Sequence, residues 1–161
     1  LQKEFSRSEY LLKLDRCNNL LRVYKKSESK KIRGYYSLRE DFSMDKYVLY
    51  EEVKQFKCIY GHAETPTPFG VFQVENKSND WYVTPYRPKN LKNVGILKFQ
   101  GYLEIFEDYF IHSDIFAENI DGTAEIVGTV KDGGTTGCVR VNSDDLKWLL
   151  DNIPVKTTVM F

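Results

Sequence analysis

The chain has no surplus of charge in either sign. Its 161 residues carry 23 Lys and Arg against 23 Asp and Glu, a formal net charge of zero. Nucleic acids and anionic membranes select for a clear positive excess, so neither is expected as a partner. Histidine is scarce, with two copies, and the three cysteines, Cys17, Cys58 and Cys138, lie far apart with no CxxC spacing. A zinc knuckle and a thioredoxin-type pair are thereby excluded, and without HExxH no metal site is expected. No P-loop or dinucleotide fingerprint is present, and no cofactor is expected. No apolar run is long enough to span a bilayer, and no signal peptide is visible. The chain opens on Leu1 rather than Met, so an upstream segment is expected, and any targeting information with it.

What the chain does have is aromatic bulk: eleven Tyr, ten Phe and two Trp. That is core-building material and excludes a disordered polymer. The length suits one domain spanning 1–161 with a core of its own, expected as a monomer. No repeat, low-complexity tract or linker divides it.

Most of the chain reads as short strands. "EYLLKLDRCNNLLRVYKK" places apolar runs on both sides of Asn18-Asn19, and Asn tolerates positive φ, so a hairpin is expected. The charged run from Lys25 to Lys31 reads as an exposed loop. "KYVLYEEVKQFKCIY" fits helix spacing in one half and a strand from Val53 to Tyr60 in the other. "FGVFQVENK" alternates as a strand. "VGILKFQGYLEIFEDYFIHS" reads as two or three strands broken near Gly101, and "EIVGTV" as another. One helix is expected in "NSDDLKWLLDNIP": Ser143 as N-cap, Asp144 and Asp145 at the positive end of the dipole, Leu146, Leu149 and Leu150 as the apolar stripe, and Pro154 beyond the end. "VKTTVMF" returns as a last strand. The fold class is therefore mainly β, with one helix near the C-terminus.

Chemistry concentrates in "GGTTGCVRV". If 138–141 is a strand, Val139 and Val141 face the core while Cys138 and Arg140 share the other face. A guanidinium beside a thiol favours the thiolate. The glycines let backbone N–H groups approach a bound oxyanion. The same spacing equally fits a glycine turn before a strand that happens to begin with Cys. Cys17 and Cys58 read as small buried hydrophobes, and nothing in the sequence calls for a disulfide between them. Of the histidines, His112 in "DYFIHSD" ends an aromatic strand and points away from the core. The Ser113 carbonyl can orient its ring so that the other nitrogen faces a thiol. His62, in the proline-rich "YGHAETPTP", reads as a surface residue.

Taken together these segments resemble the L,D-transpeptidases, the YkuD-like family of bacterial cell-wall enzymes. "GHAETPTPFGVFQVENK" is similar to the family's "TPTPxGxF" segment, "FIHS" to its histidine motif, and "TTGCVRVNSDDLKWLLDNIPVKTTVMF" to its "SxGCIR" ending. "YLLKLDRCNNLLRVYK" looks like the family's first hairpin. The ordered set covers about Tyr10 to Phe161. The resemblance implies a β-sandwich-like catalytic domain of mixed sheets, placed outside the cytoplasmic membrane where peptidoglycan is. It implies Cys138 as nucleophile and His112 as base, with peptidoglycan stem peptides as substrate and partner and carbapenems as acylating inhibitors. By the same resemblance the loop of Thr135, Thr136 and Gly137 supplies oxyanion donors from the Gly137 and Cys138 N–H groups. Arg140 is a candidate to hold a peptide carboxylate, and Trp81, Tyr82 and Tyr86 in "WYVTPYR" are candidate cleft residues. Thr136 stands where the family often has His, and Thr135 where it usually has Ser. The stretch between His112 and Cys138 is longer than the family norm, so a lid or inserted hairpin is expected at 114–134. A catalytically degenerate peptidoglycan-binding domain and a sortase-like transpeptidase are the alternatives. The sortase pattern "TLxTC" with a more distant Arg fits "TTGCVR" poorly.

Overall fold

The computed structural model describes residues 6–27, 35–39, 47–85 and 94–161. Tyr86 and most of the charged run between Lys25 and Lys31 lie outside the described residues.

The opening hairpin forms as the sequence predicts. β1 (Tyr10–Asp15) and β2 (Leu20–Lys26) pair antiparallel, and Asn19 takes φ 53° in the turn. Asp15 holds that turn by accepting from the Cys17 and Asn18 N–H groups at 3.1 and 3.2 Å. β3 (Tyr35–Arg39) and β4 (Tyr47–Lys57) extend the sheet beyond β2. The ambiguous segment is thus a strand from Tyr47 to Lys57, because its backbone groups are taken up by two neighbours, which overrides any helix spacing. β5 (Val71–Gln73) and β12 (Thr158–Met160) complete a sheet of order β3-β4-β2-β1-β12-β5. Its β1–β12 pair is parallel.

The second sheet is built around the long β7 (Val94–Phe106). β6 (Asn76–Thr84) covers one side of β7. β8 (Tyr109–His112) and β9 (Ile115–Asn119) follow one another along its other side. The strand passes through Gly101 without ending; a bulge there, at φ 84°, stands in place of the expected break. Beyond β8 and β9 lie β11 (Val139–Arg140), parallel to β8, and β10 (Ala124–Gly128), antiparallel to β9. Within residues 114–134, β9 and β10 form an antiparallel hairpin, the second of the two forms expected there. Their strands belong to the sheet that carries the histidine, because β9 hydrogen-bonds to β7 as β8 does.

The helix α1 (Ser143–Asn152) follows β11 directly. Its N-cap is Asn142, whose side chain accepts from the Asp145 N–H at 2.8 Å, and Ser143 is the first helical residue. Asn142 reaches the open N–H because its extended φ and ψ aim the carboxamide back along the axis. The core lies between the two sheets and the helix. Leu12, Leu14, Leu21 and Val23 meet Leu103, Ile105, Ile111, Val139 and Val141, and Leu146, Leu149 and Ile153 close one end. Leu149 is fully buried, so its truncation to Ala is expected to cost about 2–5 kcal/mol. The result is a mainly β, sandwich-like domain of two mixed sheets with one helix near the C-terminus.

All three cysteines are free. Cys58 is buried as expected. Cys17 is exposed, because it sits in the β1–β2 turn rather than in a strand.

Candidate active site

Alternation along β8 and β11 builds the site. Ile111, Val139 and Val141 face the core, so their neighbours His112 and Arg140 emerge on the opposite face, paired across the parallel ladder. Cys138 immediately precedes β11 on the same face as Arg140. Phe99 and Phe110 supply the floor. The His112 ring stacks on Phe99 with centroids 4.2 Å apart, and Tyr82 stacks on the other aromatics of this cluster. Cys138, His112, Arg140, Tyr82, Thr135 and Thr136 line one cavity of about 540 Å³.

His112 is 3 % exposed. Its Nδ1 lies 2.7 Å from the Ser113 carbonyl oxygen. A carbonyl only accepts, so Nδ1 carries the proton and Nε2 is left with a lone pair. The Ser113 hydroxyl donates to the Gln100 carbonyl at 2.7 Å, which ties this turn to β7. Burial, helped by the Arg140 charge, pushes the imidazole down to about 3, so the ring is neutral in the resting site.

Burial also pushes the Cys138 thiol above its ordinary value. The Phe110 backbone N–H at the sulfur and the Arg140 charge favour thiolate, and the Asp108 carboxylate opposes it. The guanidinium favours thiolate as expected, but burial outweighs it here. Sγ lies 3.8 Å from the Asp108 carbonyl. Among the described residues, no hydrogen bond joins Sγ to the His112 ring.

The loop before the cysteine is held from two sides. Thr135 accepts the Gly137 N–H at 3.1 Å and donates to the Cys138 carbonyl at 2.5 Å. The Gly137 N–H is therefore turned into the loop, toward the Thr135 hydroxyl. Gly137 has φ 130°, and a Cβ there would lie 2.8 Å from the Tyr109 ring, so a side chain at this position would be strained. The second support is the threonine-proline segment. Thr67, fully buried, donates to the Gly137 carbonyl at 2.6 Å and accepts the Gly61 N–H at 2.9 Å. Thr65 donates to the Thr135 carbonyl at 3.0 Å. Sequence reasoning used "TPTP" as a motif but assigned neither hydroxyl a task. Two threonines alternating with two prolines were the available signal.

Two residues, Arg140 and Trp81, depart from the sequence reading. Arg140 is 6 % exposed, and its Nη1 donates to Asp132 Oδ2 at 2.8 Å and to the Thr129 carbonyl at 3.3 Å. Its fork is anchored to the 129–132 turn, because a buried guanidinium requires a carboxylate, and it is not an open clamp for a peptide. Trp81 faces away from the cavity, since it alternates with Tyr82. It is 47 % exposed and packs edge-on against Phe116 with Lys98 over its ring. His62 is exposed as expected, yet it lines the same cavity as Cys138. Tyr86 lies outside the described residues.

The family model described as L,D-transpeptidase catalytic domain, YkuD, matches residues 42–160. The chain belongs to this family. Solved structures of similar fold include a fused Zn-dependent amidase/peptidase/peptidoglycan-binding domain-containing protein from Clostridium acetobutylicum. It is 17% identical with a TM-score of 0.60, over 96% of this chain and 52% of that one. An L,D-transpeptidase from Mycobacterium smegmatis is 15% identical with a TM-score of 0.61, over 94% and 58%. An L,D-transpeptidase in complex with imipenem is 14% identical with a TM-score of 0.60, over 94% and 58%. At these identities the structures establish the fold alone, and the chain spans about half to three-fifths of their length. No curated protein matches the chain. No helix among the described residues is long and apolar enough to cross a membrane, and no metal-ligating cluster occurs among them.

Proposed function

We propose that this L,D-transpeptidase domain cross-links peptidoglycan stem peptides through a thioester on Cys138, outside the cytoplasmic membrane. The observation that carries the reading is the neutral His112, whose Nδ1 is committed to the Ser113 carbonyl beside a cavity that also holds the thiol. The free Nε2 accepts the Cys138 proton as sulfur attacks the carbonyl that joins the third stem residue to a terminal D-alanine. The Cys138 N–H stabilises the oxyanion. The C–N bond breaks and D-alanine leaves with the proton from His112. The acyl group then passes to an amine of another stem, or to water in a carboxypeptidase side reaction. Because the thiol is raised and the imidazole lowered, a preformed ion pair does not accumulate. Proton transfer accompanies attack.

The test is incubation with tetrapeptide muropeptides and mass analysis of the products. Release of D-alanine and cross-linked dimers are expected, with both lost in Cys138→Ala. Turnover in Cys138→Ala overturns the nucleophile, and binding without turnover in the unaltered protein supports a degenerate binding domain instead. An imipenem adduct is expected on Cys138 and on neither Cys17 nor Cys58.

A further inference from the structure

The cavity has a second imidazole on its wall. His62 belongs to the loop that precedes the threonine-proline segment, and its backbone is fixed to the nucleophile loop. Its N–H donates to the Thr135 carbonyl at 3.0 Å, and the Thr135 N–H donates to Tyr60. The His62 carbonyl accepts the Thr65 N–H at 3.0 Å. The ring rests against Gly134: a Cβ at that position would meet His62 Nδ1 at 2.7 Å and Cε1 at 2.8 Å. The absence of a side chain at 134 is what lets the imidazole lie there. His62 is exposed to solvent, while His112 is a buried residue lining the same cavity.

The two histidines suit different half-reactions. Acylation asks for removal of one thiol proton inside the cavity, and the lone pair of His112 Nε2 is available there. Transfer asks for something else, because the acceptor amine arrives from water as an ammonium. A buried imidazole held down to about 3 is a poor recipient for that proton. The charged groups around the cavity do not replace it. Asp132 is tied to Arg140, and Asp108 belongs to the turn against the sulfur.

We propose that His62 is the proton acceptor for the incoming amine in the transfer half-reaction, an inference that rests on the transpeptidase reading above. The ammonium gives one proton to His62 and becomes a free amine. Its nitrogen forms the C–N bond to the thioester carbonyl, the C–S bond breaks, and sulfur keeps the electron pair. The second proton lost by nitrogen passes through His112 to the sulfur, which restores the thiol. The proton on His62 exchanges into water.

The experiment separates the two halves. D-alanine release and cross-link formation are followed in the same reaction for the unaltered protein, His62→Gln and Gly134→Ala. The acceptor is either a stem-peptide amine or hydroxylamine, which is largely neutral at neutral pH. In His62→Gln, acylation is expected within about twofold of the unaltered protein, while transfer to the stem amine falls at least about tenfold and transfer to hydroxylamine is retained. Gly134→Ala, which displaces the ring, is expected to show the same split. Equal transfer of both amines by His62→Gln overturns the inference. So does a parallel fall in acylation and transfer, which would make His62 a support for the loop. Absence of D-alanine release from the unaltered protein overturns the transpeptidase reading itself, a result distinct from either.

Discussion

His112 and Arg140 are direct partners across the parallel β8–β11 pair, with their side chains on the cavity face. The guanidinium therefore acts on both members of the proposed dyad. It lowers the imidazole and also favours the thiolate, so its charge makes the base weaker and the acid stronger. What keeps it in place is Asp132 on the turn after β10. The strands between His112 and Cys138 thus contribute an electrostatic anchor to the site.

Removing that anchor tests the arrangement. Asp132→Asn leaves a buried guanidinium without its carboxylate. Since Asp132 itself is 44% exposed, water compensates in part, and a loss of about 2 kcal/mol is expected. Urea unfolding measures it. An unchanged midpoint would show that Arg140 finds another partner.

The buried histidine gives the fold a pH dependence of known sign. His112 titrates at about 3 in the fold against an ordinary 6.5. Between those values the unfolded chain binds a proton that the folded one refuses, so stability is full above 6.5 and falls as the pH drops toward 3. The slope approaches about 1.4 kcal/mol per pH unit from this one group. Denaturant melts at a series of pH values should show the decline, and His112→Gln should flatten it relative to the unaltered protein. Equal slopes in both would remove His112 as the cause.

Thr67 makes a local prediction. Thr67→Val keeps the volume but leaves the Gly137 carbonyl and the Gly61 N–H without their partner in a fully buried position. Each orphaned group costs about 1–3 kcal/mol, so a loss of roughly 2–6 kcal/mol is expected, together with slower acylation as the loop loosens. Thr136→Val, on the exposed side of the same loop, should leave the melting temperature near that of the unaltered protein. Equal melting temperatures for the two variants would contradict the proposed brace.

Strand alternation made half of this site legible before the fold was known. Ile111 beside His112, and Val139 and Val141 around Arg140, assign faces by their apolar character alone. Long-range partners were not legible in this way. Nothing in the spacing of Asp132 and Arg140 announces a buried ion pair, because it depends on β10 and β11 lying along the same outer side of the sheet. The same holds for 114–134, whose polar, turn-rich composition reads as an excursion until the pairing of β9 with β7 is seen. His62 is exposed as its context indicates, but its place in the cavity wall was not legible, because a proline-rich context signals exposure and nothing more. The fall of the thiol–imidazole balance toward the neutral forms is a consequence of burial, which no local pattern reports.

That balance can be read directly by thiol labelling. Cys17 is exposed, Cys138 is half-buried with its thiol raised, and Cys58 is buried with its thiol pushed up to about 12. Only thiolate reacts with iodoacetamide. Peptide mapping over time at neutral pH should therefore find Cys17 modified first, Cys138 later and Cys58 last. Asp108→Asn removes the carboxylate that opposes thiolate at Cys138. The turn accepts Asn at the positive φ of position 108, so the variant should keep its fold. Its Cys138 should label faster while Cys17 labels at its former rate. Modification of Cys138 ahead of Cys17 in the unaltered protein would mean that a thiolate already prevails at rest, and that Arg140 outweighs burial after all.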